Sequence, residues 1–368
     1  MGRGFIMKRL SSWLLVVLLA LPMYTLSACS KTTSGGGDTD TGTSSGYSVN
    51  AVSGFNFDNG DLPLQQASYK DGMLFLVLGE YRESFDQSAS PVYIVVLDTT
   101  GRVLLELEYP ISNDGVETYI SDIMGAPGGS FWMKEDLFWQ DDEGLYFERR
   151  FTYFDASGNM QAMIAESELQ IDPDITSTHM LATDELGRVY LTIGIEADSG
   201  VGRGVRPGIA LVDQSGDIAW FWESDKWGVL GMTLLDDGTP LILQVDREAG
   251  ILTPFSDSPY RIYQIDDSGE VVLLGVLSDL DGFDSDLFWP LIYPGTGSEA
   301  YFIGIEGQQL FRLDLDDFTL EVVANWSDEV SPEQLAYGPL AFFITPDGSM
   351  ILVMGKPDSP ALLIEFTK

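Results

Sequence analysis

The chain has one cysteine, Cys29, and one histidine, His179, in 368 residues. A lone cysteine excludes an intramolecular disulfide and any metal centre built on several thiolates, so the folded part must be held by its own core. A lone histidine excludes paired-imidazole metal sites, and a Ser-His-Asp arrangement would have to rely on His179 alone. No serine or cysteine sits in a recognisable nucleophile elbow. Basic residues are also scarce: 19 Lys and Arg stand against 57 Asp and Glu, a net charge of −38. Such a surface repels nucleic acid and anionic headgroups. The acidic residues are dispersed over turns and loops, which reads as a solvated exterior before it reads as a site. Helical signals are nearly absent, and Ser331-Pro332-Glu333-Gln334 suggests at most one short turn.

The apolar run Trp13–Leu21 is too short to cross a bilayer, which takes roughly 20 residues. Lys8 and Arg9 precede it and small residues follow, the anatomy of a secretory signal. Met7, directly before the basic pair, is the alternative start. Leu26-Ser27-Ala28-Cys29 resembles the lipobox of bacterial lipoproteins. The resemblance implies a signal peptide over 1–28, cleavage before Cys29, a palmitate-type diacylglycerol thioether on its sulfur, and anchorage on the extracytoplasmic face of a membrane. Three basic residues and no acidic one lie in 1–28, leaving 16 basic and 57 acidic residues, a net charge of −41. Residues 29–46 hold the lipidated cysteine and a Ser/Thr/Gly tether without apolar residues, and residues 47–368 form the folded domain.

That domain repeats one grammar. His179–Glu223 reads as a strand, a tight turn, a second strand, a long loop, a third strand, another turn and a fourth strand: one antiparallel unit too small to bury both faces alone. The turns between first and second strands contain Gly72, Gly129, Gly187, Gly238, Gly297 and Gly348, spaced 57, 58, 51, 59 and 51 residues apart. A second set, Asp98–Gly101, Asp155–Gly158, Asp213–Gly216 and Asp266–Gly269, marks hairpins after the third strand, with glycine where φ must be positive. In the fifth unit Asp314-Leu315-Asp316-Asp317-Phe318 replaces this turn without glycine. Six copies at a near-constant period, with strands covered on both faces, predict an all-β fold: a six-bladed β-propeller of four-stranded antiparallel blades. The last unit offers three strands, and Tyr47–Phe57 is an orphan alternating strand, so the N-terminal strand should close the last blade.

Candidate sites are few, and each has a bland alternative. His179 falls on a first strand, which lines the tunnel of a propeller, where it could act as base or ligand; without a histidine partner it reads first as a packed strand residue. Asp279, Asp281, Asp284 and Asp286 surround Gly282 at a spacing that could hold a structural Ca²⁺, but they do not make an EF-hand loop and four aspartates are near chance in so acidic a chain. Gly200–Gly208 is a glycine-rich stretch bearing Arg203 and Arg206. A phosphate cradle needs a helix after it, whereas a strand follows, so a flexible loop is favoured and the arginines remain contacts for an acidic ligand group. Most aromatics should be core, with Trp220 and Trp222 on one strand face and Phe221 on the other. Trp132, Trp139, Trp227 and Trp289 stand in loops or at strand ends, where exposed rings could grip a sugar or peptide.

Ala182–Leu191 (ATDELGRVYL) resembles the start of an NHL-type repeat. Together with the lipobox, the pattern is similar to propeller-bearing surface lipoproteins of Gram-positive-type bacteria, some of which accompany solute-binding transport systems. That resemblance speaks to the fold; the first functional expectation is a cell-surface, non-catalytic binding module without a cofactor beyond a structural Ca²⁺, whose partner is a glycan, a peptide or an envelope protein. Six-bladed lactonase-like hydrolases also resemble the fold and hold Ca²⁺ in the tunnel with Glu, Asn and Asp, but no such set can be placed here residue by residue. A scaffold for envelope assembly is the third alternative.

Overall fold

A computed structural model of the protein describes residues 47–80, 91–113, 115–141, 144–169, 175–198, 203–223, 227–246, 259–266, 269–281, 283, 291–304, 309–326, 338–356 and 358–368. After β1 (Ser48–Ser53), blade 1 holds β2 (Leu64–Lys70), β3 (Met73–Leu78), β4 (Val92–Asp98) and β5 (Val103–Tyr109). Blade 2 holds β6 (Ser112–Asn113), β7 (Val116–Gly125), β8 (Phe131–Asp141), β9 (Gly144–Phe154) and β10 (Met160–Ala165); β6 is a two-residue addition on the inner edge. Blade 3 holds β11 (Ile175–Thr183), β12 (Val189–Asp198), β13 (Arg203–Val212) and β14 (Ile218–Glu223). Blade 4 comprises β15 (Trp227–Leu234), β16 (Pro240–Asp246), β17 (Tyr260–Ile265) and β18 (Val271–Val276). Blade 5 comprises β19 (Tyr293–Pro294), β20 (Glu299–Ile303), β21 (Gln309–Asp314) and β22 (Thr319–Asn325). Blade 6 contributes β23 (Gly338–Ile344), β24 (Met350–Lys356) and β25 (Ser359–Thr367), and β1 completes it as the outer strand.

The fold is thus a six-bladed β-propeller, as the repeat predicts. First strands of successive blades adjoin around the ring, β2 touching both β7 and β23. Antiparallel connectivity sends the first-to-second and third-to-fourth turns to one end and the remaining, longer connections to the other. At the tight-turn end the aspartates act as local caps. Asp184 Oδ1 accepts the N–H groups of Leu186 and Arg188, both at 2.9 Å, while Gly187 takes φ 75°. Asp98, Asp155 and Asp213 do the same in their hairpins. In blade 5, Phe318 takes the glycine position with φ 49°, and its ring lies where a Cβ on Gly275 of blade 4 would be 2.3 Å away. Ring packing on that glycine offsets the strain of the left-handed residue.

Each blade buries its faces against its neighbours, so the core is divided into six clusters, one per seam. Closure joins β1 to β25 over Ser48↔Thr367 to Ser53↔Leu362. Tyr47, Val49 and Ala51 pack into the blade 5/6 seam, whereas Phe55 and Phe57, beyond the strand, cross to the blade 6/1 seam. Phe366 is wholly buried and meets Trp326 edge-on at 5.6 Å. Replacing Phe366 by Ala is expected to lower stability by about 3–5 kcal/mol in urea unfolding. Val322→Ala, on an outer strand and 47% exposed, should stay within about 0.5 kcal/mol. Equal effects of the two would show that stability does not rest on the closing seam.

Candidate functional site

Blades 2 and 3 are taller than blades 1, 4 and 5. Strands β7, β8, β9, β12 and β13 run 10 or 11 residues, against 5–7 for β3, β4, β16, β17, β20 and β21. At about 3.3 Å per residue the extra length is on the order of 10 Å. β8 and β9 carry it toward the loop-rich end, since their connection lies there.

Side-chain alternation sorts this extension into two seams. On β8, Trp132, Lys134, Asp136 and Phe138 point to blade 3, and Met133, Glu135 and Leu137 to blade 1. From the core outward, the blade 3 side begins with Trp132, Phe151 and Tyr153, packed against β11–β13. Next comes the Asp122↔Lys134 pair across β7 and β8, then Asp136↔Arg149 across β8 and β9. Arg149 Nε donates to Asp136 at 3.0 Å, and its Nη1 donates to both oxygens of Glu166 at 3.1 and 3.2 Å. Tyr119, Phe138 and Phe147 lie further out, linked by ring contacts at 5.5 and 5.0 Å, with the Arg149 guanidinium 5.1 Å from the Phe147 ring centre. His179 of β11 faces this group from blade 3.

The electrostatics follow from crowding. Burial pushes the Asp122 carboxyl up to about 7, against the pull of Lys134 and two backbone N–H groups. Burial also draws the Lys134 ammonium down, with Arg149 beside it adding repulsion. His179 is exposed on one side and crowded on the other; desolvation, then Lys134 and Arg149, lower it to about 4. Water on its open side opposes that shift, but the direction holds the imidazole neutral at pH 7. The seam therefore sets a neutral imidazole, a half-ionised carboxyl and a poorly compensated amine beside the tight Asp136–Arg149–Glu166 ion pairs.

The opposite face of β8 differs. Glu135 is wholly buried in the blade 1/2 seam, accepts two bonds from Arg150 at 2.9 Å and one from Tyr109 Oη at 2.6 Å, and is also bonded by Thr152 Oγ1. Every lone pair has a donor, which marks a structural ion pair.

Several sequence expectations change here. Trp132 is not an exposed loop residue: it is buried within β8, and its indole N–H donates to Gly187 O at 2.9 Å. Periodicity in the unit concealed this, because the 3₁₀ turn Pro127–Gly129 ends before Phe131. Trp139 lies in β8, half-buried and stacked on Tyr146 at 5.6 Å. Arg203 and Arg206 lie not in a loop but in β13, opposite Asp198 and Ile195 of β12. The long partner strand supplies ladder hydrogen bonds that outweigh the glycines' preference for a loop. Their side chains, that of Trp227 at the start of β15, and Trp289, Asp284, Asp286 and Cys29 lie outside what is described. Asp279 and Asp281 are exposed, and among the described residues no three His, Cys, Asp or Glu side chains converge as a metal centre would need. His179 is on the innermost strand of blade 3, as its position implies, and is the one sequence-predicted residue within the mixed seam. Lys134, Asp136 and Arg149 were not foreseen. For the first two the signal was the run Lys134-Glu135-Asp136 between apolar residues of β8, too many charges for a blade interior.

Asp122 makes the seam's pH dependence testable. In the folded chain it keeps its proton to about pH 7, in the unfolded chain only to about 4. Its contribution to stability is thus greatest below about pH 4 and declines as pH rises through 7. His179, lowered to about 4 from about 6.5, works in the opposite sense. Asp122→Asn should match the wild type near pH 4 and exceed it by a few kcal/mol at pH 8, on the order of 2–4. Urea unfolding across that range reads this out, and a constant difference between the two proteins would rule out the buried acid.

No family model matches the chain, and no curated protein is similar to it in sequence. Solved structures are similar in fold. A protein of unknown function from Dyadobacter fermentans DSM 18053 is 9% identical, with 86% of this chain and 98% of that chain covered, at a TM-score of 0.52. The soluble aldose sugar dehydrogenase of Escherichia coli is 10% identical over 87% of this chain and 99% of its own, at 0.45. The β-propeller domain of the Trilobed protease from Pyrococcus furiosus is 13% identical over 82% and 79%, at 0.39. The likeness to the first, at 9% identity and 0.52, is one of fold and leaves the chemistry to be argued from the chain's own residues.

Proposed function

We propose that this chain is an exported lipoprotein, held to the membrane by lipid on Cys29, whose propeller is a non-catalytic binding module for a glycan, a peptide or a partner protein. The seam between the two tall blades is its contact site. One observation carries the reading: half-buried aromatic rings, Tyr119, Phe138 and Phe147, stand in line with a mixed ionic cluster at the loop-rich end. Rigid rings held by neighbours present contact area at low entropic cost, and charged groups beside them fix orientation. Strand placement adds precision, since side chains on paired strands hold position better than those on loops. The strongly acidic remainder of the surface keeps unrelated polyanions away.

Two measurements test the parts separately. Cys29→Ala should move the full chain from the membrane fraction to the soluble fraction; a wild-type chain already soluble would remove the anchor from the proposal. For binding, the full chain is screened on glycan and peptide arrays, and hits are followed by thermal unfolding. A true ligand at a hundred times its Kd should add about 2.7 kcal/mol, and Phe138→Ala should abolish most of that gain. A ligand that stabilises both proteins equally would place the contact elsewhere on the ring, and silence on both arrays would sink the glycan and peptide readings and leave only a partner protein.

A further inference from the structure

The direction of β1 fixes the end of the ring from which the chain before it departs. β24 starts at Met350, just after the tight turn at 346–348, and runs to Lys356 at the loop-rich end. β25 therefore returns from Ser359 to Thr367 at the tight-turn end, and β1, antiparallel to it, starts there with Ser48 opposite Thr367. That start is pinned. Ser48 Oγ donates to Thr367 O at 3.2 Å, the Lys368 ammonium lies 5.5 Å from the centre of the Tyr47 ring, and Tyr47, Val49 and Ala51 pack into the blade 5/6 seam. The segment before Tyr47 thus joins the domain at a firm root on the tight-turn end, at the rim of that seam.

Ring geometry then places the root relative to the contact site. First strands touch in the closed order β2, β7, β11, β15, β19, β23 and back to β2, so the blade 5/6 and blade 2/3 seams face each other across the axis. The charged and aromatic extension of blades 2 and 3 stands at the loop-rich end, so it is separated from the root both across the ring and along its axis. Residues 47–368 make a domain on the order of 50 Å across. The segment from Ser30 to Gly46, rich in Gly, Ser and Thr, has the composition of a linker whose root-mean-square span is about 20–25 Å at that length. Turning the far end toward a bilayer would lift the root by about one domain diameter, close to the full extension of roughly 55–60 Å that such a segment allows. A tether shorter than the body it holds therefore keeps the rooted end nearest the surface. Surface chemistry points the same way. With 57 acidic against 19 basic residues, the ring is repelled by anionic headgroups. Among the described residues, seven of the eight large exposed apolar side chains lie on outer strands, and the eighth, Leu186, sits in a tight turn of blade 3.

Resting on the lipid-anchor reading, we propose that the propeller stands with its tight-turn end toward the membrane and its loop-rich end outward, so that the blade 2/3 seam is the part of the domain farthest from the bilayer and meets partners that approach from the aqueous side. The test uses the full chain, extracted from membranes and reconstituted in liposomes that contain an acceptor-labelled lipid. Cys29 is the sole native cysteine and carries the lipid in this reading, so one added thiol takes the donor dye. Thr319→Cys lies at the tight-turn end of blade 5, Ser157→Cys at the tight-turn end of blade 2 and Ser167→Cys at the loop-rich end of blade 2, and all three positions are exposed. Energy transfer to the lipid should fall in that order, and a separation of about one domain diameter should make the first and last differ by roughly twofold or more. Equal transfer from the three sites, or the reverse order, in liposomes that carry the chain through flotation would overturn the orientation and leave the anchor standing. A chain that does not float with the liposomes would overturn both.

Discussion

The antiparallel pairing of β1 with β25 is the constraint on which the remaining architecture depends. Every blade is a small sheet that can bury its two faces only against its neighbours, so the ring has six cores and no centre. Closing the last blade with a strand from the start of the folded region ties residues more than 300 positions apart, Ser48 to Thr367. The loop-closure entropy of such a contact grows slowly with length, while loss of the contact would uncover the faces of blades 6 and 1 together. Packing confirms the role: Val49 and Ala51 enter the blade 5/6 core, and the chain then crosses so that Phe55 and Phe57 enter the next. One segment thereby stitches two seams.

Features governed by local chemistry were legible in the sequence. An aspartate that accepts two amide N–H groups, followed by a glycine of positive φ, is needed wherever a hairpin turns in this manner. Asp184 to Gly187 and Asp98 to Gly101 therefore ruled the chain into repeats, and the repeats gave blade number and closure. Gly125 shows the limit: a Cβ there would lie 2.4 Å from the Phe75 ring of the preceding blade, and no local pattern indicates that. Trp132 was misplaced for a related reason. Its burial comes from blade 3, whose Gly187 receives its indole N–H, and contacts between units leave no trace in the grammar within one unit.

The candidate site was legible only in part because it is a property of a seam. Asp122, Lys134, Arg149 and Glu166 come from three strands and a 3₁₀ turn of blade 2, and His179 from blade 3, so no motif spacing holds them. What the chain does show is a breach of pattern. Blade interiors in this protein are mostly apolar, yet β8 reads Lys-Glu-Asp at its middle. Alternation then sends Glu135 to one seam and Lys134 and Asp136 to the other.

Neighbours on one strand thus carry buried charge for different ends. Glu135 has a donor for each of its acceptor positions and serves as a pin between blades 1 and 2, where removing a partner would strand a charge. Lys134, one residue away, turns to the blade 2/3 seam and stands opposite Asp122 of β7. The charges on that side are held by ion pairs within blade 2, where Asp136 and Glu166 close on Arg149 at 3.0 and 3.1 Å.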